Sequence, residues 1–244
     1  MTRRRWAALG GLTAALALYT AGAGRLWQGG LGADVAFLAL VLIPGTLLVT
    51  WLALPLALRR GLLPLALALG VLALVLRAAE LDVFFNLAKL SAFIAIGFWF
   101  LTYFETVAWA ALVAVVVPWV DAISVWRGPT EYVVEEQPGV FEDVSVAFRV
   151  PGEDASANLG PPDILFFALF LAAAERFGLR VAATFLSMVA LLGLTLVLTA
   201  YTDVSGLPAL PAICLGFLLP NADLLWRALR ERGTVESPEP GGPE

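Results

Sequence analysis

Leu159-Gly160-Pro161-Pro162-Asp163 leads straight into the apolar run Ile164-Leu165-Phe166-Phe167-Ala168-Leu169-Phe170-Leu171-Ala172-Ala173-Ala174. Proline suits a helix start, because the first N–H groups of a helix have no intrahelical acceptor. The stretch reads as a short membrane helix over 162–174, closed by Glu175-Arg176. Asp163 falls in its first turn, where an acid offsets the helix dipole and satisfies free N–H groups. An ionisable side chain at the mouth of a membrane helix is also expensive, which makes it a candidate functional residue.

The neighbouring segments are apolar too. Downstream lie 181–201 and 207–226, the second opened by Leu207-Pro208-Ala209-Leu210-Pro211. Upstream, past a polar stretch over 127–158, comes 107–126, which contains Asp121. Four more precede it, over 6–23, 36–58, 61–76 and 81–104. The first, behind Thr2-Arg3-Arg4-Arg5, reads as a transmembrane helix, with a cleaved signal peptide as the alternative. Pro44 is expected to kink the second. The chain thus divides into four N-terminal helices (1–106), a core (107–226) and a polar tail (227–244) expected to be disordered. Of the 244 residues 60% are hydrophobic and 14% charged, more apolar surface than a soluble domain of this size can hide. The fold class is all-α, a polytopic transmembrane bundle of about eight helices, with a short β-hairpin in the loop between the two aspartate helices.

Composition narrows the chemistry. There is no His and one Cys, Cys214. His-based triads, zinc sites built on His and a disulfide framework are excluded, and hydrolysis would rest on carboxylates or on Ser and Lys. No cofactor and no metal are expected. A net charge of −5 argues against a nucleic-acid partner.

In the polar stretch, Val144, Val146, Phe148 and Val150 alternate with Ser145, Ala147 and Arg149, the period of a strand. Tyr132-Val133-Val134 is its expected partner, with Gln137-Pro138-Gly139 as the turn. In segment 81–104, Asp82, Asn86 and Lys89 fall on one helical face. They read as an Asp–Lys pair facing the bundle interior, or as groups that handle substrate or protons.

Orientation follows the arginines. With the N-terminus inside, Arg59-Arg60, Arg176 with Arg180, and Arg227, Arg230 and Arg232 all fall inside, and the acidic loop falls outside. The expected location is the cell membrane, multi-pass, with both termini cytoplasmic. Asp121, Asp163 and Pro208-Ala209-Leu210 then lie near one membrane face. Two carboxylates at matching depth can hydrolyse a peptide bond with water: one takes the proton of the water and the other, protonated, polarises the carbonyl.

Trp119-Val120-Asp121-Ala122-Ile123-Ser124-Val125-Trp126 resembles the first-aspartate motif of the presenilin and signal peptide peptidase family of intramembrane aspartyl proteases, especially its archaeal members. Leu159 to Asp163 resembles the second motif, Gly-x-Gly-Asp, and Leu207 to Pro211 the third, Pro-Ala-Leu. The resemblance covers nearly half the chain. Val120 stands where the family has Tyr, Pro162 where it has the second Gly, and eight helices where it usually has nine. The resemblance implies a presenilin-like fold, Asp121 and Asp163 as the catalytic pair, and Gly160, Pro208, Ala209 and Leu210 shaping the site and holding substrate. It also implies that Val146 and Phe148 lie in a strand to which an extended substrate adds. Substrates would be transmembrane segments of membrane proteins or signal peptides, cleaved within the lipid bilayer without accessory subunits. An inactive relative that binds such segments, as a chaperone or adaptor, and a small transporter are the competing readings.

Overall fold

The computed structural model describes residues 2–127, 143–153, 155–202 and 208–235. Among these are eight helical rods and a two-stranded sheet. They are α1 (Arg3–Gly22), α2 (Leu31–Leu56), α3 (Leu62–Ala78), α4 (Asp82–Phe100), α5 (Val107–Arg127), α6 (Pro161–Arg176), α7 (Val181–Tyr201) and α8 (Leu210–Val235). Strands β1 (Val146–Arg149) and β2 (Ser156–Leu159) lie between α5 and α6. Five rods, α1, α2, α4, α7 and α8, are long and apolar enough to cross a membrane, which makes this a multi-pass membrane protein. Helix α3 and the 107–121 part of α5 are apolar but shorter.

Helix α6, at 16 residues, is shorter than a typical span, but it is the axis of the bundle. Ile164 and every residue from Phe167 to Ala174 are buried. A helix that is apolar all round belongs inside, and α4, α5, α7 and α8 all pack against it. The α4–α6 crossing is close because position 97 is glycine. A Cβ there would collide with the carbonyl oxygen of Leu165 and stand 2.9 Å from Ala168 Cβ. Small residues at such crossings let membrane helices approach and gain van der Waals contact. Gly97→Ala is therefore expected to lower stability by about 1 kcal/mol in a thermal melt in detergent, although Ala is the better helix former.

Sequence and structure diverge at four places. Helix α2 begins at Leu31, with Asp34 in its first turn. Its irregularity is a π-helical stretch, Leu38–Leu42, just ahead of Pro44. Pro44 has no N–H to return to the preceding turn, and the wider helix takes up the mismatch. Helix α8 continues to Val235, so the first residues of the expected tail, 227–235, are helical; 236–244 lie outside the described residues.

The third divergence is the hairpin. β1 pairs antiparallel with β2, which follows it, in the register Val146↔Leu159, Ala147↔Asn158, Phe148↔Ala157 and Arg149↔Ser156. The expected partner Tyr132-Val133-Val134 and turn Gln137-Pro138-Gly139 lie outside the described residues. The turn that forms is Val150-Pro151-Gly152-Glu153. Gly152 has φ 72°, and the Glu153 N–H reaches the Val150 carbonyl at 3.4 Å. Pro then Gly with positive φ are the central residues of a type II turn. The Gly152 N–H also donates to Ala23 O (2.8 Å), tying the turn to the end of α1.

The fourth is the polar face of α4. Asp82 pairs with Arg77 (3.4 Å), which also pairs with Asp143 (2.8 Å). Lys89 does face the interior, as expected, but it donates to the carbonyls of Ser145 (2.5 Å) and Asp143 (2.9 Å) rather than to Asp82.

Candidate active site

Asp121 lies one turn beyond Pro118, which interrupts the hydrogen-bond ladder inside α5. It is partly buried, while its neighbours Trp119, Val120 and Ile123 are exposed on the outer face of the helix. Helix α5 packs on α8. The Leu210 N–H, at the first residue of α8, donates to Asp121 Oδ2 (3.3 Å). That N–H is one of the donors a helix start leaves unpaired, so Asp121 caps α8 from the neighbouring helix. This gives Pro208-Ala209-Leu210 a physical role: it delivers a free helix N-terminus to the first carboxylate. Leu210 is buried, Pro208 and Ala209 are partly so, and the Ala209 carbonyl accepts the Ile213 N–H (3.2 Å).

Asp163 is the third residue of α6. Its Oδ2 accepts the Gly160 N–H (3.0 Å), the reach-back bond of a capping box. A Cβ at position 160 would come within 3.2 Å of that oxygen, so glycine leaves the carboxylate its place. Pro161 and Pro162 occupy the first two helical positions, where no N–H is required. Pro162 is exposed and no hydrogen bond of the aspartate depends on it. Pro162→Gly is accordingly expected to leave reporter cleavage within about twofold of the parent. Its cost is a fraction of a kcal/mol from the extra freedom of the unfolded chain, read by a parallel melt.

The two carboxylates lie within Coulombic reach of each other, and both act on Cys214, one turn into α8 and fully buried. Asp121, Asp163, Gly160 and Leu210 thus lie in one neighbourhood, at the starts of α6 and α8. Each aspartate is oriented by a backbone N–H at a helix N-terminus. Among the described residues no group of three or more His, Cys, Asp or Glu is placed to hold a metal ion.

Val146 and Phe148 stand differently. Their side chains are in the core, 1% and 4% exposed. Their backbone groups face β2: the Val150 N–H bonds Ala155 O (3.0 Å), and alternation in an antiparallel ladder then makes Phe148–Ala157 and Val146–Leu159 the hydrogen-bonded pairs. Among the described residues the free edge belongs to β2, through the backbone of Ser156 and Asn158. Sequence reading missed β2 because Ser156-Ala157-Asn158-Leu159 has neither β-branched residues nor clear alternation. The available signal was Pro151-Gly152 just before it.

Comparison of the chain with protein-family models, with curated proteins and with solved structures found no match.

Proposed function

We propose that this protein is an intramembrane aspartyl protease of presenilin-like fold, which hydrolyses peptide bonds within transmembrane segments of membrane proteins or signal peptides. One observation supports the reading: Asp121 and Asp163, on the consecutive helices α5 and α6, lie within Coulombic reach, and each accepts a backbone N–H at a helix N-terminus. Two carboxylates close together in low dielectric share one proton and titrate as a pair. The ionised member takes a proton from water, whose oxygen bonds to the scissile carbonyl carbon while the protonated member donates to the carbonyl oxygen. The tetrahedral intermediate then collapses with cleavage of C–N, the nitrogen leaving as the amine with the proton taken from water and the other carboxyl recovering its own.

A helical substrate conceals its carbonyls in its own hydrogen bonds, so the scissile segment must be extended. The edge of β2, free among the described residues, suits such a segment, because the strand runs directly into Gly160 and Asp163 and its outward N–H and C=O groups can pair with an added strand. In this reading substrate pairing is assigned to the backbone of Ser156 and Asn158, with Val146 and Phe148 supporting β2 from behind. The N- and C-termini face the cytoplasm, by the distribution of arginines.

The test uses purified protein in liposomes with a single-span reporter. Parent protein is expected to release two fragments, and Asp121→Ala and Asp163→Ala none. Equal product from all three would trace the cleavage to a contaminant and overturn the proposal.

A further inference from the structure

We propose that Asn86 and Lys89 of α4 are positioning residues: they close the outer edge of β1, so that an extended substrate segment has the β2 edge alone to pair with. The inference rests on the proteolytic reading above and adds to it the device that sets the strand register.

The outer edge of β1 is occupied by side chains. Asn86 Nδ2 donates to Ala147 O (2.9 Å), and Asn86 Oδ1 accepts the Ala147 N–H (2.9 Å). One amide thereby makes both bonds that a neighbouring strand would make to Ala147. Lys89 Nζ takes the carbonyl of Ser145 on the same edge, and that of Asp143 before it, with the ring of Phe85 4.2 Å away. Tyr19 Oη donates to Arg149 O (2.6 Å). Thus three successive outward positions, 145, 147 and 149, are held by α1 and α4.

β2 presents the opposite picture. Its outward backbone at Ser156 and Asn158 faces away from β1, and Asn158 Oδ1 is buried without a hydrogen-bond partner among the described residues. β2 ends one residue before Gly160. Pairing to β2 therefore fixes distance along the substrate to Asp163, and a slip of one residue moves the peptide bond by about 3.3 Å and reverses which face its side chains take. An open β1 edge would offer a second docking line, on the far side of the sheet from the outer edge of β2, the strand that runs on into Gly160 and Asp163. An ammonium and a carboxamide inside a membrane bundle are costly, and the hydrogen bonds of both go to the β1 edge and the residues leading into it.

The experiment compares parent, Asn86→Leu, Asn86→Ala, Lys89→Met and Lys89→Arg by two readouts. The first, independent of activity, is amide exchange of the segment 146–150. Asn86→Leu is expected to speed exchange at Ala147 about tenfold, the scale of one or two lost hydrogen bonds. The second is cleavage kinetics. Unproductive pairing on β1 lowers kcat and KM together, so kcat/KM is expected to stay within about twofold while each falls about fivefold, and Lys89→Arg should restore what Lys89→Met loses. A variant that merely damages the fold would lower kcat/KM and the melting point instead. Exchange and kinetics both unchanged in the Asn variants would overturn the proposal, as would a fall in kcat/KM with KM unchanged. Faster exchange with a parent protein that cleaves nothing would overturn the proteolytic reading, and the positioning role with it, while leaving the closed edge intact.

Discussion

Alanine at Asp121 or at Asp163 is expected to lower turnover of a single-span reporter by at least about a thousandfold. General acid and general base groups each contribute about 10²–10⁴ in rate, and two carboxylates that share a proton do not act separately. The double variant should therefore be no slower than either single one, since groups that work as a unit are grossly non-additive. The fold should survive. Asp121 gives up one hydrogen bond to Leu210 and Asp163 one to Gly160, each worth about 1 kcal/mol. A melt in detergent run beside the kinetics separates lost chemistry from lost structure. A residual rate within tenfold of the parent in either variant would remove that aspartate from the reaction.

Phe170→Ala carries the largest expected effect on stability. Phe170 is fully buried on α6 and stacks on Phe217 of α8, with ring centroids 4.8 Å apart and planes at 17°. It joins the helix that carries Asp163 to the helix that supplies Leu210. In a water-soluble core such a truncation costs about 3–5 kcal/mol. Here the unfolded reference stays in lipid, so transfer from water drops out and lost packing remains. The expected cost is about 2–3 kcal/mol, a drop of roughly 8 °C in the melting midpoint for a chain of this size. Reporter cleavage should fall as well, because α6 can shift against α8 and about 1 Å of misplacement in a site can cost about a hundredfold. An unchanged midpoint would contradict the placement of α6 at the axis of the bundle.

The candidate site was legible in the sequence to the extent that polar groups are costly in an apolar chain. Asp121 and Asp163 stand out for that reason, and Pro208 marks a helix start whose free N–H reaches Asp121 through Leu210. Counting apolar segments also gave the number of rods. What stayed hidden was pairing across distance. Asn86 and Lys89 showed only that they share a helix face; their partners lie 61 and 54 residues away, in backbone carbonyls that carry no sequence signal. β2 was hidden because Ser156-Ala157-Asn158-Leu159 is held by register with β1 rather than by its own propensity. The end of α8 was hidden by composition. Arg227, Arg230 and Arg232 read as a tail, yet arginine is a good helix former and helix α8 runs through all three.

The most direct measurement is the mass of the products from a single-span reporter incubated with purified protein in liposomes made up in ¹⁸O-water. Two complementary fragments are expected, with their junction inside the apolar span and one ¹⁸O incorporated at the new carboxyl terminus. An intact reporter across several spans, or cuts confined to the flanks outside the bilayer, would contradict it.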